Sequence, residues 1–403
     1  MYREEIEAAK AHFAQILEAQ LQRVELMKQD ERFIDYQQLD KIIIGIVGGD
    51  GIGPYIAAQA ERVLAALLAD SIQAGKVELR RIEGLTIENR IAKMQAIPDA
   101  VMDELRQCHV ILKGPTTTPD LSAGMPNIES ANVYMRRAFD LFANIRPVRV
   151  PELNIDWMFF RENTEGEYAL GSQGLNVTPD LAVDFKVTTT QGCRRIIRAA
   201  FEYARLHGKQ RVTVVTKANV IKTTDGKFLS IAKEISQEYP DIVLDDWYID
   251  IMTAKLIDPS RQSDFQVLVM PNLYGDILTD EAAQIQGGVG TAGSANVGTK
   301  YAMFEAIHGS APRMVTEGRA IYADPSSLIK AGAMLLEHIG FSQAAEKLQM
   351  ALEICGQFER KVVLTGRSDG ATNEVYTDYI LDTVAQPDLR ERYEKFLARL
   401  RSR

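Results

Sequence analysis

Short apolar runs ended by polar or glycine-rich turns recur along the chain, and segments with apolar residues at every third or fourth position lie between them. Lys41–Val47, Val110–Leu112 and Gln266–Met270 read as buried strands, Trp157–Phe160 and Arg211–Val215 as strands, and Phe142–Ile145 is strand-like. Helical spacing predicts helices over residues 1 to about 30, Tyr55–Leu68, from near Asn127, Thr190–His207, from Ile277 onward and Ser326–His338. The first of these repeats Ile6, Ala9, Phe13, Leu17, Leu21, Val24 and Met27. It is expected to pack on the main body, an oligomer contact being the other use for such a face. Gly208 and Gly340 supply helix stops, and Asp324-Pro325 supplies a start. Strands and helices in this mixture predict an α/β protein.

A chain of 403 residues can bury a large core, and two domains are the natural division. A formal charge of −9 with pI near 5.3 argues against nucleic-acid or membrane-surface partners, and no apolar run reaches membrane-spanning length. Glu4, Glu5 and Glu7 stand where a signal peptide or mitochondrial presequence would be basic. Cys108, Cys193 and Cys355 are too scattered for a metal motif or a disulfide framework, which fits a reducing cytoplasm.

The chemistry concentrates after Met270. If the chain is helical from Ile277 onward, the spacing of four puts Asp276 and Asp280 on one face. Gly287–Asn296 follows as a glycine-rich bend with free backbone amides, then Glu305-Ala306-Ile307-His308-Gly309-Ser310-Ala311-Pro312. A cation site beside an amide-rich loop suits an anionic substrate and a phosphate-bearing cofactor. Two aspartates near a helix start also serve simply as dipole partners and caps. Earlier, Gly48–Pro54 turns from strand to helix, but it lacks the G-x-G-x-x-G pattern and the distal acidic residue of a Rossmann site. Arg136, Arg146 and Arg161 each lie beside an unusual segment. They either form surface ion pairs or clamp a tricarboxylate with three planar forks.

From Ile42 to about Val384 the chain resembles the metal-dependent β-decarboxylating dehydrogenases, the family of isocitrate and isopropylmalate dehydrogenases. The resemblance rests on Gly48–Gly53, Ser130–Arg136, Asn144–Arg149, Phe160–Tyr168, Lys217-Ala218-Asn219, Asn272–Asp280, Gly287–Gly298 and Glu305–Pro312. It implies that family's own two-domain α/β fold, which is not a Rossmann fold. Residues 41–141 and 286–403 would form a large cofactor-binding domain, 142–285 a small dimerisation and substrate domain, and 1–40 an N-terminal helical extension. It further implies oxidative decarboxylation of isocitrate to 2-oxoglutarate, the tricarboxylic acid cycle step, with Mg²⁺ or Mn²⁺ on Asp276, Asp280 and a partner subunit's Asp250. Arg136, Arg146 and Arg161 would hold the carboxylates, Tyr168 and Lys217 would move protons, and Lys217 would reach the neighbouring subunit. A homodimer or larger homo-oligomer with shared sites follows.

Ser130 and Asn132 favour isocitrate, because isopropylmalate enzymes usually place an apolar residue there, and unpaired polar groups beside an alkyl chain are costly. Isopropylmalate, homoisocitrate and other malate-type acids remain alternatives, as does a non-catalytic regulatory subunit. The resemblance places Thr118, Glu305, His308, Gly309, Ser310, Ala311, Arg313 and Asp324 at the cofactor. NAD is preferred to NADP: Arg313-Met314 matches neither usual pattern after the loop, and residues 362–369 lack the Tyr-x-x-x-Arg of bacterial NADP members. Arg313 could nonetheless pair with a 2′-phosphate.

Overall fold

The structure is a computed structural model and describes residues 2–28, 32–119, 124–170, 173–288 and 292–401. Its strands are β1 (Ile42–Val47), β2 (Val77–Ile82), β3 (Val110–Lys113), β4 (Ala143–Val150), β5 (Ile155–Glu162) and β6 (Leu175–Thr178). They continue with β7 (Leu181–Val183), β8 (Arg211–Thr216), β9 (Val243–Tyr248), β10 (Val267–Met270), β11 (Gly293–Val297) and β12 (Ala302–Ala306).

Two compact units divide the chain. The larger holds residues 34–141, 145–156 and 280–403, and its strands run in the order β2-β1-β3-β12-β11. All of these neighbours are parallel except the antiparallel pair β11 and β12. The smaller holds residues 1–33, 142–144 and 157–279, where β5-β10-β8-β9 run parallel and β6 and β7 form a separate antiparallel pair. Unbroken apolar runs suit parallel strands, whose two faces are both covered. Every residue of β10 is buried, and β1 is buried throughout apart from Ile43.

Register within each unit aligns the ends from which functional loops leave. Val47 lies opposite Lys113, and Lys113 opposite Glu305. In the smaller unit Met270 lies opposite Arg161, and Thr216 opposite Tyr248. Ligands of parallel α/β sheets bind beyond such carboxyl ends.

Several elements depart from the sequence expectation. The helix expected from Ile277 starts at Asn272, because the turn-like Pro271-Asn272-Leu273-Tyr274-Gly275 is its first turn and Gly275 N–H already donates to Pro271 O. The helix expected near Asn127 starts at Ala131, with Ser130 immediately before it. β4 runs through Arg146 and Pro147, and β5 continues past Arg161 to Glu162. Arg161 looked like a polar stop but is a buried strand residue with its hydrogen bonds satisfied.

The N-terminal helix, Arg3–Met27, buries only Ile16, half-buries Ala9, Val24 and Met27 and leaves Ile6, Phe13, Leu17 and Leu21 exposed, so its apolar stripe is only partly covered by the body. It is anchored to the smaller unit instead by Arg23 on Thr164 and Glu165, by His12 on Gln173 O and by Phe13 stacked on Phe185. Residues 34–40 therefore part from it: Ile34 N–H donates to Thr299 O in the larger unit. Residues 145–156 also group with the larger unit, where Arg149 pairs with Glu353 at 2.9 Å and donates its backbone N–H to Gln286 Oε1.

Candidate active site

In the larger unit the Gly48–Pro54 turn joins three backbone segments. Asp50 N–H donates to Pro115 O and Ile52 N–H to Ser310 O. Gly51 has φ +59, and a Cβ there would lie 2.0 Å from Ser310 O. Close backbone approach, not phosphate binding, thus explains these glycines. Asp50 is 6 % exposed and accepts from the amides of Ile87 and Thr117 at 2.7 and 2.6 Å. Fully buried Arg90 spans Ala96 O, Thr117 O and Glu129 O, tying the Gly114–Pro119 loop to the segment that leads into Ser130. The sequence reading singled out the turn that holds Asp50 but gave neither residue a role; Arg90, a charged side chain within an ordinary helical segment, carries no local signal of such burial.

Asn132, Arg136, Arg146, Glu305, His308 and Gly309 line one cavity of about 200 Å³ in this unit. Asn132 Oδ1 accepts from Thr116 Oγ1 at 3.0 Å, and Arg146 reaches Asp280 at 3.1 Å. Glu305, 4 % exposed, is held between Lys113 and Arg136, each at 3.1 Å, and accepts from Asn296 Nδ2. Burial pushes its carboxyl up, but the Lys113 and Arg136 charges outweigh that and bring it down to about 2. Ser130, Thr118, Ser310, Ala311, Arg313 and Asp324 lie outside the lining. Thr117 Oγ1 and Ser310 Oγ are hydrogen-bonded at 2.7 Å, and Ala311 is held at φ +42 before the short helix Pro312–Thr316. Arg313 is exposed and paired with Glu317 at 2.5 Å, and Asp324 accepts from Ser326 N–H as a helix start. Of the expected glycine-rich bend, Gly293–Asn296 is instead buried strand β11, whose Gly293 has Ala331 N 2.6 Å from where a Cβ would be. Val289, Gly290 and Thr291 lie outside the described residues.

In the smaller unit Arg161 donates from Nε and Nη2 to Asn272 Oδ1, and from Nη1 to Asp276. Asn272 Nδ2 donates to Glu165 O, so this residue, which the sequence reading quoted within Asn272–Asp280 without a role, orients both Arg161 and the loop after β5. Tyr168 donates to Asp276 Oδ2 at 3.1 Å, and Arg161 stands over its ring. Partial burial, with the Asp276 charge next, raises the phenol above its ordinary value. Lys217 and Asp250 pair at 2.5 Å because β8 and β9 end in register, and the Lys217 hydrogen bond lowers the Asp250 carboxyl.

Asp276 and Asp280 sit one turn apart on the helix Asn272–Ile285. Their side chains are 42 % and 61 % exposed and offer hard oxygen donors, as Mg²⁺ or Mn²⁺ requires. Among the described residues no three His, Cys, Asp or Glu converge as a metal site. A two-carboxylate set fits a cation that completes its shell with water and substrate. No helix of the described residues is long and apolar enough to cross a membrane.

The chain is similar to subunit 2 of the mitochondrial NAD isocitrate dehydrogenase of Schizosaccharomyces pombe, 37 % identical over 77 % of this chain and 79 % of that protein. It is 40 % identical to the NADP isocitrate dehydrogenase of Rickettsia prowazekii over 76 % of this chain and 62 % of that one. It is 37 % identical to the 3-isopropylmalate dehydrogenase of Methanothermobacter thermautotrophicus over 77 % and 89 %. The crystal structure of isocitrate dehydrogenase from Methylococcus capsulatus superimposes with a TM-score of 0.73 at 36 % identity, covering 86 % of this chain and all of that one. Residues 43–382 match the isocitrate/isopropylmalate dehydrogenase family, and with its α/β fold and non-Rossmann glycine turn the chain belongs to that family.

Proposed function

We propose that the protein oxidises isocitrate with NAD⁺ to 2-oxoglutarate, CO₂ and NADH, using Mg²⁺ or Mn²⁺. The observation that carries the substrate reading is the polar cavity in which Asn132 stands with two guanidinium groups, Arg136 and Arg146. An alkyl substituent there would face polar and charged side chains, whereas a third carboxylate would be complementary to the two guanidinium groups. Arg161 is the third fork, and Ser130 beside Asn132 sets specificity. Asp276 and Asp280 would hold the cation, with Asp250 of the partner subunit; the bound cation supplies Lewis acidity at the C2 oxygen. Lys217 of the partner subunit, with an aspartate beside it, takes the hydroxyl proton. Tyr168 returns a proton to carbon after CO₂ leaves, and its raised phenol keeps the proton available. Sharing Lys217 and Asp250 makes the working unit a homodimer or larger. The amides of Gly309–Ala311, with Thr118, His308 and Asp324, line the nicotinamide cofactor. NAD is favoured because Arg313 already carries Glu317 as counter-charge, and Glu317 also binds Arg319. The three cysteines are reduced and buried, which fits a cytoplasmic enzyme.

The test is nicotinamide reduction by the purified protein with Mg²⁺, offering isocitrate, isopropylmalate and homoisocitrate in turn with NAD or NADP. Reduction with isocitrate and NAD is expected; reduction only with an acid lacking the third carboxylate would overturn the substrate assignment.

A further inference from the structure

The N-terminal helix lies outside the family match, yet its one charged anchor reaches the loop that carries Tyr168. Arg23 Nη1 contacts Glu165 Oε1 at 3.2 Å, and Nη2 donates to Thr164 Oγ1 at 3.1 Å. The loop between them is densely bonded. Glu162 accepts from the amides of Thr164 and Glu165 and from Thr164 Oγ1. Glu165 accepts from the amide and hydroxyl of Thr189. Gly166 exchanges both backbone hydrogen bonds with Val187. Arg195 Nη2 also donates to Thr164 Oγ1.

Two carboxylates, Glu162 and Glu165, are thus buried three residues apart, 3 % exposed each. Burial, then the neighbouring Glu165, raises the Glu162 carboxyl, while Arg195 opposes the shift. A buried carboxylate keeps its charge only where cations and hydrogen-bond donors stand against it. Arg195 belongs to the helix that packs behind the loop; Arg23 is the cation that comes from outside the family's shared chain. From Glu165 the connection continues: its carbonyl accepts from Asn272, whose other amide atom holds Arg161, and Arg161 holds Asp276 under Tyr168.

We propose that Arg23 is a positioning residue, through which the N-terminal helix fixes the 162–168 loop and so sets Tyr168 and Arg161 for the reaction. The assignment rests on the catalytic reading of Tyr168. Arg23 touches neither substrate nor reacting atoms; it acts through Glu165 and Thr164.

The test compares wild type, Arg23→Ala and Arg23→Lys by hydrogen–deuterium exchange and by steady-state kinetics with isocitrate. In Arg23→Ala the amides of Thr164, Glu165 and Gly166 should exchange about tenfold faster while β8 and β10 keep their protection. Its kcat should fall about tenfold, with KM for isocitrate changed far less, since misplaced reacting groups lower turnover more than binding. Arg23→Lys, which keeps the charge, should recover part of both effects. Unchanged exchange at 164–166 overturns the proposal whether or not the protein turns over isocitrate. Faster exchange with unchanged kcat overturns the link to Tyr168. An inactive wild type with the loop effect intact would overturn the catalytic reading and leave Arg23 a structural anchor only.

Discussion

The carboxyl ends of β1, β3 and β12 in the larger unit and those of β5, β8 and β10 in the smaller one carry equally charged clusters, but they are built in opposite ways. In the larger unit Lys113, Glu305, Asp50 and Arg90 are buried, and the turns that carry them meet backbone to backbone. In the smaller unit Tyr168, Asp276 and Asp250 remain partly exposed and are held by side-chain contacts, Asp276 by Arg161 and Tyr168 and Asp250 by Lys217. Buried, fully bonded groups make a frame that does not reorganise when a ligand arrives. An exposed pair such as Lys217–Asp250 is worth little in water and exchanges readily for a cation or carboxylate. On the proposed function, binding geometry and reacting groups would thus fall to different kinds of packing.

The contrast can be broken most sharply at Lys217. Lys217→Met should lower kcat about a thousandfold with no change in melting temperature, because only an exposed pair is lost. A rate within tenfold of wild type would place the proton transfer elsewhere. In the larger unit the opposite pattern is expected. Gly51→Ala forces a side chain into left-handed backbone and against Ser310 O, and should cost about 3 kcal/mol in urea unfolding. Native stability in that variant would show that the turn is not a rigid junction.

Acid offers a second test of the buried frame. Glu305 sits at about 2 when folded, against 4.5 for a free glutamate. A depressed value means stability that is complete above the unfolded value and lost as pH falls toward the folded one. The pairs should therefore contribute about 3 kcal/mol at neutral pH, fading below about pH 4.5. Glu305→Gln should flatten the dependence of the urea midpoint on pH in that window; an unaltered slope would assign acid sensitivity to other groups. The smallest effect is expected at the substrate end. Ser130→Leu should shift the isocitrate-to-isopropylmalate ratio of kcat/KM about tenfold toward isopropylmalate, with stability unchanged.

Much of the fold was legible because periodicity and burial agree. Ser326–His338 appears as the spacing, the Asp324-Pro325 start and the Gly340 stop predict. β1, β8 and β10 appear where uninterrupted apolar runs allow only a covered strand. The failures share a cause. Arg161 and the Pro271–Gly275 segment look like strand and helix boundaries, yet long-range partners make them interior. The stripe on the N-terminal helix looks like a buried face, yet Arg23 and Phe13 set its placement. Chemically distinctive groups such as Asp276, Asp280, Arg136 and Lys217 could be picked out locally. Asp50, Arg90 and Asn272 could not, because what distinguishes them is the backbone atoms they reach across the fold.

The most direct measurement is product analysis of purified protein incubated with isocitrate, Mg²⁺ and NAD. The account predicts 2-oxoglutarate, CO₂ and NADH in equal amounts, with none formed once the cation is chelated. Isocitrate recovered intact, while isopropylmalate is oxidised under the same conditions, would contradict it.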